Sequence, residues 1–126
     1  MPDQPKILLA EEDATLAQIT SFRLELLGYR VECVESAAAL FDSVARELPG
    51  VIILDMYLPD SSGYVVTQRL SSEERTSRVP IMAFSSSGDL DDVERAFTAG
   101  AKEFVVTPYD PAVLQRKLQA LLEPVL

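Results

Sequence analysis

Apolar runs and amphipathic stretches alternate five times along this chain. Lys6 to Ala10, Arg30 to Val34, Val51 to Leu54, Ile81 to Phe84 and Glu103 to Val106 are short, apolar-rich and bounded by turn residues, which predicts five strands. The stretch Ala14 to Leu27 carries Leu16, Ile19, Phe22, Leu26 and Leu27, spaced for one apolar helical face. Gly28 follows, where a helix commonly stops in a left-handed turn. Ser36 reads as an N-cap for a stripe of Leu40, Phe41, Val44, Ala45 and Leu48, and Pro49-Gly50 breaks it. A third helix carries Val65, Val66, Arg69 and Leu70. A fourth, with Asp89 as a cap, carries Val93, Ala96 and Phe97 and stops at Gly100. Asp110 caps the last, with Pro111 in its first turn and Val113, Leu114, Leu118, Leu121 and Leu122 along it.

Five strand-then-helix units imply a parallel sheet with helices on both faces and right-handed crossovers. We expect an α/β fold with the flavodoxin-like strand order 2-1-3-4-5, in one domain over 1–126 with its core at about 6–122. That order sets the first and third strands side by side. The first ends in Glu11-Glu12-Asp13 and the third in Asp55, so acids from neighbouring strands meet at the carboxyl edge, where open α/β sheets place their ligand sites. Such a cluster suits a divalent cation and a reactive carboxylate.

Composition narrows the chemistry. At 126 residues and 48% apolar, the chain is one ordinary domain's worth and is not disordered. Its 11 basic and 20 acidic residues leave a net charge of −9, which repels phosphate backbones and argues against nucleic-acid binding. There is no histidine, so the commonest general base and metal ligand is missing. A single cysteine, Cys33, excludes an internal disulfide, fits a reducing cytosol, and beside Val31 and Val34 is expected to pack as a small hydrophobe. No apolar run approaches the ~20 residues of a membrane span. The polar start, Met-Pro-Asp-Gln-Pro-Lys, lacks the apolar core of a secretory leader. A cytoplasmic location is expected.

Four motifs then stand in order: Ile7-Leu8-Leu9-Ala10-Glu11-Glu12-Asp13; Leu54-Asp55-Met56-Tyr57-Leu58-Pro59-Asp60-Ser61-Ser62-Gly63; Pro80-Ile81-Met82-Ala83-Phe84-Ser85-Ser86; and Ala99-Gly100-Ala101-Lys102-Glu103-Phe104-Val105-Val106-Thr107-Pro108-Tyr109. Together they make the chain resemble the receiver domain of two-component response regulators, the CheY-like family. The second holds the Asp-x-x-x-Pro-x-x-x-Gly signature around that family's phosphorylated aspartate. The resemblance implies that Asp55 is the phosphoacceptor. It implies that Glu11 and Glu12 hold Mg²⁺ with Asp55 and the backbone carbonyl of Tyr57. Ser85 resembles the switch hydroxyl, with Ser86 the small residue beside it, and Phe104 the aromatic switch. A histidine kinase or phosphotransfer protein would be the donor. A downstream protein would read the face of the fourth helix, fifth strand and fifth helix. The implied role is a signalling domain, not an enzyme.

Two departures stand out. Thr107 occupies the place where the family carries a lysine, so a cation is lost. Lys102 does not replace it: at ~3.3 Å per residue it lies roughly 16 Å away along the fifth strand. Glutamate replaces the usual aspartate at least at Glu12, and Mg²⁺ tolerates displaced ligands poorly. Without metal, repulsion among Glu11, Glu12, Asp13 and Asp55 should raise the pKa of one carboxylate. These departures motivate an alternative, a pseudo-receiver that binds partners independently of phosphorylation. Two enzymatic readings fare worse. A haloacid-dehalogenase-type phosphatase wants a second aspartate two residues after the nucleophile, where Tyr57 stands. A flavin carrier wants a Ser/Thr/Gly phosphate loop where Glu11-Glu12-Asp13 stands.

Overall fold

A computed structural model describes residues 5–123. The polar start up to Gln4 therefore lies outside the described residues. The strands are β1 (Lys6–Ala10), β2 (Arg30–Val34), β3 (Val51–Asp55), β4 (Ile81–Ser85) and β5 (Glu103–Val106). The helices are α1 (Ala14–Leu26), α2 (Ala37–Arg46), α3 (Gly63–Ser72), α4 (Leu90–Ala99) and α5 (Pro111–Leu122). All neighbouring strands run parallel, in the order β2-β1-β3-β4-β5. The expected topology is the observed one. β3 and β4 each run one residue further than their apolar runs, so Asp55 and Ser85 are the last strand residues.

Each strand of a parallel sheet buries both faces, and alternate side chains divide between them. Leu8, Ala10, Ile52, Leu54 and Ala83 face α2, α3 and α4, against Leu40, Val44, Val66, Leu70 and Ala96. Ile7, Leu9, Ile53, Met82, Phe84 and Val105 face α1 and α5, against Ala17, Leu24, Leu114 and Leu118.

Three expectations require correction. The stripe read on α1 faces outward: Phe22 is 64% exposed and Leu26 71%, with Ile19 and Leu27 also exposed. The buried line is Ala17, Thr20 and Leu24, and the small Ala17 and Thr20 let the helix lie close to the sheet. Cys33 is exposed, because β2 is an edge strand and Val34, not Cys33, takes the covered face. Finally, α2 ends at Arg46, which leaves Leu48 beyond it and exposed.

The caps at Ser36 and Asp110 form as expected, each accepting a backbone N–H. Asp89 occupies the cap position of α4 but makes no side-chain cap bond. Gly28 takes a φ of +95°, a left-handed turn that a side chain would oppose.

Candidate functional site

Register decides what meets at the carboxyl edge. Ala10 pairs with Leu54, so the residues that follow, Glu11 and Asp55, emerge side by side. Glu11, Glu12, Asp13, Leu16, Asp55, Tyr57, Phe84, Ser86 and Thr107 line one cleft of about 380 Å³. The three acids on which the sequence reading depended thus share a single space.

Backbone N–H groups position Asp55. Its Oδ1 accepts from Tyr57 N at 2.9 Å, and Oδ2 lies 3.5 Å from Glu12 N. Gly63 packs against the chain beneath it. A Cβ at Gly63 would collide with the Asp55 carbonyl oxygen and Met56 Cα, and Gly63 N donates to Met56 O at 2.9 Å. Hence the glycine of the signature is required by close approach. Further along the same loop, Asp60 accepts from Ala37 N at 2.8 Å and Ala38 N at 3.0 Å. Those two donors tie the loop to the start of α2 and hold the Asp60 carboxyl below its usual range.

Glu11 is buried at 5% exposure, while Glu12 and Asp13 are exposed. Asp13 caps α1 through Oδ1, which accepts from Thr15 N and Leu16 N. Burial pushes the Glu11 carboxyl up to about 8; its hydrogen bond to Asp55 adds to this, and repulsion from Asp55 and Asp13 contributes less. One carboxyl of the cluster is raised, as expected, but desolvation leads and repulsion follows. Among the described residues no Lys or Arg lines the cleft.

Thr107 stands in the cleft wall, follows β5, and donates its N–H to the Ser85 carbonyl at 2.8 Å; the Thr107–Pro108 bond is cis. Lys102 is exposed before β5, at the end away from the cleft. Lys117 is also committed elsewhere, donating to the Phe104 carbonyl at 2.7 Å.

Ser85 lies beneath the cleft. It is 2% exposed, and its Oγ accepts from Ser87 N at 3.1 Å, while Phe84 and Ser86 form the wall. Phe104 is buried at 6% exposure in the core beneath α3 and α4. The sequence reading missed Phe84 and Leu16 as lining residues. It also missed Tyr109, whose hydroxyl bonds Thr20 Oγ1 at 2.7 Å and whose ring centroid lies 5.6 Å from that of Phe84. The alternation of β4 side chains could have found Phe84; nothing local marks the Tyr109–Thr20 pair.

An all-oxygen donor set suits Mg²⁺. Glu11 and Asp55 already converge on the cleft. Glu12 stands at the rim. Among the described residues no three acidic side chains are gathered closely enough to hold an ion as they stand, so Glu12 or water would complete the set.

Residues 7–119 match the family described as the response regulator receiver domain. The chain is 30% identical over 118 residues to the DNA-binding dual master transcriptional regulator RpaA of Synechocystis sp., a match that covers 94% of this chain and 49% of that protein. It spans about half the length of the curated relatives it matches. Among solved structures, a response regulator of Chloroflexus aurantiacus superposes with a TM-score of 0.92 at 26% identity, covering 95% of this chain and 98% of that one. The receiver domain of a sensor histidine kinase from Pseudomonas aeruginosa PAO1, solved with magnesium in its active-site cleft, gives 0.87 at 31% identity over the same shares.

Proposed function

The chain belongs to the response regulator receiver domain family, and on that premise we propose that Asp55 accepts a phosphoryl group from a histidine kinase or phosphotransfer protein. The observation that carries this reading is the juxtaposition of Asp55 with the buried Glu11 in a cleft whose side-chain ligands are all oxygens. An Asp55 oxygen attacks phosphorus, an acyl phosphate forms, and the bond from phosphorus to the donor's imidazole nitrogen breaks. Tyr57 N–H holds Oδ1, which fixes the direction of the carboxylate. Ser85 supplies a hydroxyl proton from below, and Thr107 a second hydroxyl from the wall. A bound Mg²⁺, held by Glu11, Glu12, Asp55 and the Tyr57 carbonyl, would offset the charge that builds on the transferring group.

Phe104 and Ser85 then bias the face of α4, β5 and α5, where exposed Leu90, Phe97 and Val106 offer apolar contact to a downstream protein. The net charge of −9 disfavours nucleic acid as a partner of this domain. No helix among the described residues is long and apolar enough to cross a membrane. We place the domain in the cytoplasm, as one receiver unit without an enzymatic turnover of its own.

Incubation with acetyl phosphate and Mg²⁺, read by intact mass, tests this directly. The wild type should gain one phosphoryl group and Asp55→Asn none; no gain in the wild type would reject the reading. The pseudo-receiver is the competing reading, and a cleft without Lys or Arg favours it. It requires Asp55→Asn to bind partners as the wild type does, treated or untreated.

A further inference from the structure

Thr107 is fixed in the cleft wall through its backbone, whose N–H donates to the Ser85 carbonyl at 2.8 Å. Two residues on, Tyr109 reaches α1. Its hydroxyl lies 2.7 Å from Thr20 Oγ1, across 89 residues of sequence. Thr20 is fully buried on the side of α1 that meets the sheet. Leu16, one turn earlier on that side, lines the cleft, and so does Asp13, the α1 cap. The Asp13 N–H donates to Glu11 Oε2 at 3.1 Å, which ties the start of α1 to the acid end of β1. Helix α1 is therefore the anchored side, and the segment after β5 is attached to it through Tyr109. Packing alone does not call for the hydroxyl. The Tyr109 ring leans on Phe84, with centroids 5.6 Å apart, and the Arg23 guanidinium carbon lies 5.7 Å from its centroid. A phenylalanine ring would meet both. What the hydroxyl adds is a bond of set length between two elements.

We propose that this bond braces the segment after β5 against α1, and that Tyr109 is a positioning residue for phosphoryl transfer, because the brace sets where the Thr107 hydroxyl stands relative to Asp55. Thr107 carries no charge that could draw it toward the acids, so its place depends on how the segment is held. The brace acts on one side of the cleft only. Glu11, Asp55 and the Tyr57 carbonyl stand at the ends of β1 and β3, which the brace does not reach, so metal binding is independent of it. Loss of the bond leaves the cation in place and lets the Thr107 hydroxyl drift from the transferring group. Such a misplacement slows chemistry more than binding. The consequence for transfer rests on the phosphoacceptor reading; the brace itself does not.

The test uses the full chain and two substitutions that remove only the bond. Tyr109→Phe keeps the ring, and Thr20→Val keeps the shape of the side chain. Without Mg²⁺ or a phosphoryl donor, amide exchange read by ¹⁵N NMR should speed at Thr107 about fivefold in either variant, and no further in the pair. The Glu11 N–H, bonded to the Val34 carbonyl at 3.0 Å, should keep its rate. An unchanged Thr107 rate, or equal acceleration at Glu11, overturns the brace. With acetyl phosphate and Mg²⁺, phosphoryl gain followed by intact mass should slow about tenfold in Tyr109→Phe, while Mg²⁺ affinity, from amide shifts around Asp55, stays as in the wild type. A matching loss of Mg²⁺ affinity overturns the positioning role. Thr107→Val removes the group being positioned, so adding Tyr109→Phe to it should cost nothing more; a further loss of about tenfold overturns the role too. If the wild type gains no phosphoryl group, the phosphoacceptor reading falls with its consequence for transfer, and the Thr107 exchange rate still decides the brace.

Discussion

Lys6 opens β1 and Glu11 follows its last residue, yet charge is handled in opposite ways at the two ends of this strand. Lys6, 8% exposed, lies 2.8 Å from Glu32 and 3.2 Å from Glu47, and Arg30 and Arg46 extend the network. Its cations hold both glutamates below the usual carboxylate range: Lys6 leads for Glu32 and Arg30 for Glu47. At the other end Glu11 is as buried as Lys6 but faces Asp55 with no cation beside it among the described residues, and burial pushes its carboxyl up to about 8. A balanced network stabilises; an unbalanced acid pair waits for charge from outside. Functional sites are where such imbalance persists.

The largest effect that separates the two ends is pH dependence. Folded Glu11 holds its proton up to about pH 8, whereas the unfolded chain releases it near 4.5. Between those values the folded state binds more protons, so metal-free stability falls as pH rises. The contribution is full below 4.5 and gone above about 8. Its upper bound is roughly 5 kcal/mol. Urea unfolding in EDTA across this window should show the decline, and Glu11→Gln should flatten it. Equal slopes in both proteins would erase the contrast. The same proton must leave when a cation binds, so Mg²⁺ affinity should climb with pH over that range.

Lys6→Met comes next. It removes the cation that Glu32 and Glu47 share and leaves each with one arginine, Arg46 and Arg30. A fully buried broken pair costs about 3–5 kcal/mol. Here Glu32 is 32% and Glu47 48% exposed and both keep an arginine, so the loss by urea unfolding should fall well below that. A loss no greater than that of a surface lysine would mean the network is ornamental.

Much of this contrast was legible in the sequence. Unbroken apolar runs ending in acids located β1, β3 and the cleft, because a parallel strand has little freedom to hide a charge except at its end. The α1 stripe misled for a physical reason. Phe22 and Leu26 have helical spacing, but Ala17 and Thr20 fit closer to the sheet and leave the large side chains outside. Cys33 misled because edge position, not neighbour identity, governs exposure. The Lys6 network and the burial of Glu11 depend on contacts between separate elements, which local pattern does not report.

The subtlest change gives the carboxyl edge the cation it lacks. Thr107 is half-buried in the cleft wall, and its backbone, bonded to the Ser85 carbonyl, would hold a longer side chain at the same mouth. Thr107→Lys places an ammonium among Glu11 and Asp55, as Lys6 stands among Glu32 and Glu47. At an effective dielectric suited to a wet cleft this is worth about 1 kcal/mol. The Glu11 carboxyl should then release its proton below its present value of about 8, seen by ¹³C carboxyl titration, and the pH decline in metal-free stability should become shallower. Mg²⁺ should bind about fivefold more weakly, since one positive charge now competes with another. An unchanged Glu11 titration would show that a cation at the mouth does not reach the buried acid, and the difference between the two ends of β1 would then come from burial alone.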